Sequence, residues 1–232
     1  MKYFSIKIIS ICMILLVFSY AYAKEITTPQ DERTLDTVLS EMERTEKNIK
    51  DLTADIVQTK VFTDFDDTVE FKGVFKYKKP RMMYWEFYSP DRSLIVVNEK
   101  ETLMYVPDIK QAQKIDVENS PKGISLIFGF DRAVENLKKD FSIALVDTEE
   151  TPEGKKYVLD LAPIAEREKN TFYKIKIWVR ETSWIPEKFY IVELNGDNST
   201  TELFNIKVNS GVPQSQFYLT LPKDVEVVNV DM

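Results

Sequence analysis

From Phe71 to Tyr88 apolar and polar residues alternate on either side of the turn Lys78-Lys79-Pro80, a period-two pattern that fits half-buried β-strands. In the first strand Phe71, Gly73, Phe75 and Tyr77 share one face, and Lys72, Lys76 and Lys78 share the other. In the second, Met83, Trp85 and Phe87 stand opposite Met82, Tyr84, Glu86 and Tyr88. Further apolar runs continue to Pro107. A face this aromatic needs cover, so it is either ordinary core or the wall of a binding cavity.

Lys2 and Lys7 accompany an apolar run from Ile8 to Tyr22, and Ala21 and Ala23 form an A-x-A signal. Residues 1–23 therefore read as a secretory signal peptide and 24–232 as a single mature domain. A membrane anchor is the competing reading, but the run falls short of the roughly 20 residues that span a bilayer, and Lys24-Glu25 closes it sharply. The sole cysteine, Cys12, lies inside this run without the small residues that precede a lipid-modified cysteine. The mature chain then has no thiol for a disulfide or a metal-thiolate site.

The formal net charge is -7, and removal of Lys2 and Lys7 makes the chain more acidic. With no basic stripe, neither nucleic acid nor an anionic membrane surface is an expected partner. Histidine is absent, which removes the usual general base and the commonest metal ligand. The six glycines form neither a phosphate-cradling loop nor a dinucleotide fingerprint. The expectation is a protein that is not an enzyme, holds no cofactor or metal, and does not hydrolyse ATP.

Apolar residues at Leu35, Val38, Leu39, Met42, Ile49, Leu52 and Ile56 follow helical spacing through a charged segment, which predicts a long amphipathic helix. A strand follows from Ala54 to Phe62, then the pair at Phe71–Tyr88, then short runs at Leu94–Val97 and Leu103–Val106 that suit a hairpin. Ser120-Pro121 starts a short helix carrying Ile124, Ile127 and Phe128, and Ala133, Val134 and Leu137 suggest another helical turn. Strands are then expected at Phe141–Val146, Lys156–Leu161, Thr171–Val179, Lys188–Leu194, Thr200–Val208 and Gln216–Leu221. The pattern predicts a mainly β, α+β fold: a strongly curved antiparallel sheet or barrel with helices packed on it.

Taken in order, these residues resemble the LolA-like family of periplasmic lipoprotein carriers over nearly the whole mature chain. The resemblance rests on the opening helix, Gln58-Thr59-Lys60, Gly73 in its alternating strand, Lys79-Pro80, and the aromatic strand with Trp85 and Pro90. It continues through Ser93–Val97, Thr102–Val106, Ser120–Phe128, and a closing pattern of Asn209, Phe217 and Pro222 followed by Val225–Val228. It implies an unclosed β half-barrel with a helical lid over a hydrophobic cavity. It also implies a periplasmic monomer that accepts lipoprotein acyl chains from an inner-membrane ABC transporter, LolCDE-like, and passes them to an outer-membrane receptor, LolB-like. On that basis Phe71, Phe75, Tyr77, Met83, Trp85, Phe87, Ile95 and Met104 are candidate cavity residues, and Leu35, Leu39, Met42, Ile124, Ile127 and Phe128 candidate lid residues. Family members place an arginine before the proline of the first aromatic turn as a lid latch; here it is Lys79, without the planar five-donor fork. The family's Asp-Gly-Lys turn is Asn98-Glu99-Lys100 here.

Other features have blander readings. Asp64, Asp66, Asp67 and Glu70 lack the spacing of a calcium loop and read as a solvated turn. Lys76, Lys78, Lys79, Arg81 and Arg92 could face an anionic partner or solvent. Asn198-Ser199-Thr200 matches a glycosylation acceptor, which carries no weight in a bacterial setting. The rival functions are a carrier of another amphiphile, such as a glycolipid or pigment precursor, a lipid-sensing regulatory domain, and an enzyme working with carboxylates, lysine or serine alone.

Overall fold

The computed structural model describes residues 34–116, 134–164, 169 and 172–229. The leader at 1–23 and the expected helix with Ile124, Ile127 and Phe128 lie outside the described residues.

The described chain opens with α1, Leu35–Asn48. Thr34 caps it, its Oγ1 accepting from the Thr37 amide, and Asp36 and Lys47 complement the dipole at the two ends. Val38, Leu39 and Met42 form the buried stripe. The helix stops at Asn48, shorter than the spacing of Leu52 and Ile56 predicted. Those two belong to β1, Asp51–Phe62, where Leu52, Ala54 and Ile56 alternate inward. The spacing of four between Leu52 and Ile56 fits either period, and the buried Ala54 midway between them settles it as two.

A meander follows: β2 (Asp67–Lys78), β3 (Met82–Ser89), β4 (Ser93–Val97), β5 (Glu101–Val106) and β6 (Gln111–Asp116), the last not foreseen from the sequence. After α2 (Val134–Asp140) a second meander runs through β7 (Phe141–Thr151), β8 (Gly154–Pro163), β9 (Phe172–Arg180), β10 (Pro186–Glu193) and β11 (Asn198–Val208). The last strand of this second meander, β11, pairs with β1, so the two meanders fuse into one twelve-stranded sheet that ends in β12 (Glu226–Asn229) at one edge and β7 at the other. The pairing is antiparallel except for β12 on β6. This is the mainly β, unclosed and curved sheet that the patterning predicted.

Irregularities in the ladder bend the sheet. Between β2 and β3 the register shifts at Lys72/Gly73, and a Cβ on Gly73 would meet the Glu86 carbonyl oxygen at 2.2 Å. Only glycine allows that backbone approach. Another shift between Thr53 and Asp55 bends the β1–β11 seam.

The concave face carries the main core. α1 and α2 pack their buried residues against Leu52, Phe75, Tyr77, Met83, Leu159, Ile177, Val179 and Phe189. A smaller cluster lies on the convex face, where Met82 and Val96 are covered by Val212 and Phe217 from the segment after β11. Gln216–Leu221, expected as a strand, is instead a short 3-10 turn at Gln214–Phe217 leading into irregular chain. Among the described residues, no helix is long and apolar enough to cross a membrane.

Candidate functional site

Beyond the end of the core covered by α1, the concave face opens into a cavity of 210 Å³. Its apolar lining is Ile56 from β1, Trp85 and Phe87 from β3, Ile95 from β4, Phe172 from β9 and Ile191 from β10. Its polar lining is Gln58, Lys60, Glu193, Ser199 and Thr201. Strand periodicity accounts for both sets. Along β1 the inward positions run Ile56, Gln58, Lys60, so polarity rises two residues at a time away from the core. Exposure rises in step: Ile56 and Thr201 are buried, whereas the side chains of Lys60 and Glu193 are 26% and 38% exposed. The cavity therefore has an apolar floor and a polar mouth.

Polar contacts hold the mouth. Gln58 Nε2 donates to Thr201 Oγ1 (2.8 Å) from directly opposite on β11. Lys60 Nζ reaches across β11 to Glu193 Oε1 (3.1 Å) and lies 5.1 Å from the Phe62 ring centroid. The β1–β2 connection is braced to the β10–β11 turn, the Thr63 amide donating to Asp197 Oδ1 (2.9 Å) and Thr63 Oγ1 to the Gly196 carbonyl (2.7 Å).

The eight aromatic and apolar residues singled out in the sequence divide by depth. Trp85, Phe87 and Ile95 line the cavity. Phe71 packs edge-on to Phe87, with centroids 5.7 Å apart, and Met104 pairs with Ile95, so both flank the cavity. Phe75, Tyr77 and Met83 are fully buried in the core and are not among the lining residues. Phe75, directly opposite on β2, packs beside Trp85, with ring centroids 5.0 Å apart. Alternation groups Phe71, Phe75 and Tyr77 on β2 and Met83, Trp85 and Phe87 on β3, and strand pairing adds Ile95 and Met104 to the same face, but alternation does not say which part of that face α1 covers. Of the lid candidates, Leu39 and Met42 are buried in the core and Leu35 packs against it.

Sequence reasoning did not assign Ile56, Gln58, Lys60, Phe172, Ile191, Glu193, Ser199 or Thr201 to the site. The alternation through Gln58 and Lys60 was a readable signal. Contributions from β9 to β11 were not, because they depend on the pairing of β11 with β1.

Lys79 sits where the chain turns under α1. Its Nζ donates to the Glu46 carbonyl (2.5 Å) and the Lys47 carbonyl (3.3 Å), capping the negative end of the helix. Asn209 completes the joint, accepting from the Lys50 amide (2.7 Å) and donating to the Asn48 carbonyl (3.1 Å). Buried Asp51 accepts from Ser210 Oγ and the Gly211 amide.

The cations considered for an anionic partner are engaged within the chain. Lys78 Nζ donates to the Val212 carbonyl (2.8 Å) and Lys76 Nζ to Gln216 Oε1 (2.9 Å). Arg92 forms a forked contact with Glu86 Oε1 (3.0 and 2.7 Å), and Tyr84 donates to Glu86 Oε2 (2.8 Å). Burial pushes the Tyr84 phenol well above its ordinary range, and the bond to Glu86 adds to this. Burial alone would raise Glu86, but the hydrogen bonds from Tyr84 and Arg92 outweigh it and hold the carboxyl below its ordinary value. Asn98 does more than shape its turn: Oδ1 accepts from the Lys100 and Glu101 amides, and Nδ2 donates to the Phe217 carbonyl. The Asp64, Asp66, Asp67 and Glu70 carboxylates are exposed around the β1–β2 connection. Among the described residues, no group of three or more histidine, cysteine, aspartate or glutamate side chains is placed to hold a metal ion.

A wider groove of 470 Å³ lies between the β9–β10 turn and the Leu203–Val208 part of β11. Its charged residues are bound to one another, Arg180 contacting Glu187 (2.6 Å) and Glu153 (3.0 Å). Its one aromatic lining residue, Phe204, is 45% exposed, in contrast to the buried Trp85 and Phe87 of the first cavity.

The family model described as "Outer membrane lipoprotein carrier protein LolA" matches residues 47–220. An outer-membrane lipoprotein carrier protein of Pseudomonas putida is 26% identical over 211 residues, covering 90% of each chain. A protein of the same description from Idiomarina loihiensis is 24% identical, covering 78% of this chain and 77% of that one. Among solved structures, an uncharacterized conserved protein from Thermus thermophilus superposes with a TM-score of 0.56 at 15% identity, covering 84% of this chain and 98% of that chain. That likeness concerns the fold.

Proposed function

Because the chain belongs to the LolA family of outer membrane lipoprotein carriers, we propose that it takes lipoprotein acyl chains into the cavity at Trp85, Phe87 and Ile95 and carries them through the periplasm. The observation that carries this reading is the aromatic-floored cavity on the concave face, beside a helix that covers the rest of that face. Phe71 and Met104 extend the apolar wall. Phe75, Tyr77 and Met83, further along the same face, bound it on the core side. Residues 1–23 act as the export signal, and the mature chain works as a monomeric binding protein without catalysis.

Energetics assign the chain a passive role. Burying acyl carbon is worth about 0.8 kcal/mol per methylene against water, but a bilayer offers the same gain, so moving a chain from membrane to cavity is close to neutral. Extraction needs an external drive, which an inner-membrane ABC transporter supplies, and delivery needs an outer-membrane acceptor of higher affinity. A carrier between them works best with two states of similar free energy. Here α1, with Leu35, Leu39 and Met42 on its inner face, is the moving cover, and Lys79 at its C-terminal carbonyls is the latch.

The test is release of a diacylated lipoprotein from spheroplasts into a soluble complex with the purified protein. Wild type is expected to release it and to retain acyl chains detectable by mass spectrometry. Trp85→Glu should do neither while keeping its β-sheet circular dichroism. A folded Trp85→Glu variant that released lipoprotein as well as wild type would overturn the assignment.

A further inference from the structure

The cavity mouth is polar but carries no net charge, and this restricts what can enter head last. Lys60 is the cation there, and Glu193 neutralises it at 3.1 Å. Around this pair stand the Gln58 amide and the Ser199 and Thr201 hydroxyls, which are neutral donors and acceptors. If the site served bare hydrocarbon, these positions would favour apolar side chains, since a partly desolvated ion pair adds little stability. If it served an anionic head group, Glu193 would repel the ligand and Lys60 would have to break its pair.

We propose that the mouth recognises the uncharged carbonyl linkage of an acyl group, an ester or amide, and discriminates against free carboxylates. The ammonium of Lys60 has three protons, so it can keep Glu193 and still donate to a carbonyl oxygen. Gln58, two residues further in along β1, supplies a neutral amide below it. The acyl chain then runs inward over Trp85 and Phe87 while the linkage stays at the level where polarity begins on β1. Glu193 is a specificity residue: it holds Lys60 in place and cancels the charge that would otherwise attract an anion. This inference rests on the acyl-carrier reading and names the part of the acyl group that the site distinguishes.

The test compares sub-micellar monopalmitoylglycerol with palmitate as competitors of a hydrocarbon fluorophore, diphenylhexatriene, at mildly alkaline pH where palmitate is ionised. The readout is the ratio of the two apparent affinities, so a general change in cavity quality cancels. Wild type should favour the ester. Glu193→Gln, close to isosteric, should move the ratio toward palmitate by about tenfold, the usual scale for one charge-assisted hydrogen bond. Lys60→Met should move it the other way, because Glu193 then stands alone. A purely structural role for the pair would not shift the ratio in opposite directions. Equal ratios in all three proteins, with the fluorophore still bound, would overturn the recognition proposal and leave the carrier reading intact. Failure of wild type to bind fluorophore, ester and palmitate alike would overturn the carrier reading, and this proposal with it.

Discussion

Lys79 stands at the negative end of α1, donating to the Glu46 and Lys47 carbonyls of its last turn, the first of which also accepts from the Ile49 amide. A primary ammonium can reach both without the arginine fork, since the contacts are to separate backbone oxygens and not to a planar carboxylate. Lys79→Leu should lower stability by about 1 kcal/mol and speed amide exchange along α1 more than elsewhere, with slower lipoprotein transfer if the helix is the latched cover. Unchanged exchange in α1 would remove Lys79 from that role. Glu86 supports a prediction in pH. Its folded carboxyl is held below the ordinary value of 4.5 by Tyr84 and Arg92, so its stabilising contribution is complete above that value. The contribution is lost as pH falls through the lower, folded value. The melting-temperature gap between wild type and Glu86→Gln should therefore be largest near neutrality and shrink below pH 4.5; a constant gap across that range would contradict it.

The segment after β11 behaves as a strap. From Asn209 it crosses the convex face, takes hydrogen bonds from Lys78, Lys76 and Asn98, buries Phe217 completely, and ends as β12 on the β6 edge. Phe217→Ala should cost about 3–5 kcal/mol by leaving a cavity over Met82 and Val96. Urea unfolding followed by far-ultraviolet circular dichroism measures it, and a loss under about 1 kcal/mol would deny the strap its packing role. The alternation of Phe217, Leu219 and Leu221 looked like a strand because apolar alternation reports one-sided burial. It does not report ladder hydrogen bonds, and an extended strap lying on a sheet produces the same signal. The end of α1 was misplaced for a related reason: Ile49, Leu52 and Ile56 keep helical spacing, while the Lys50 and Asn48 backbone groups are bound by Asn209, a residue remote in sequence.

Across the whole molecule, fusion of two meanders through β1 and β11 wraps the strands around one apolar interior, part filled by α1 and part open. A ligand that occupies the open part only in the folded state stabilises the protein by mass action, about 2.7 kcal/mol at one hundred times its dissociation constant. Thermal unfolding with saturating monopalmitoylglycerol should show a raised melting temperature in wild type and none in Trp85→Glu; an equal rise in both would place the ligand elsewhere. The sequence by itself determined the mainly β class, most strands, the inward face of β2 and β3, and the order of motifs shared with the LolA family. These are local properties, set by side-chain period and turn chemistry within a few residues. Only the tertiary structure decided that Phe75, Tyr77 and Met83 are core whereas Trp85, Phe87 and Ile95 face open space. It also brought Lys60 to Glu193 and Gln58 to Thr201, because those contacts depend on strand pairings more than a hundred residues apart in the chain, which no local pattern encodes.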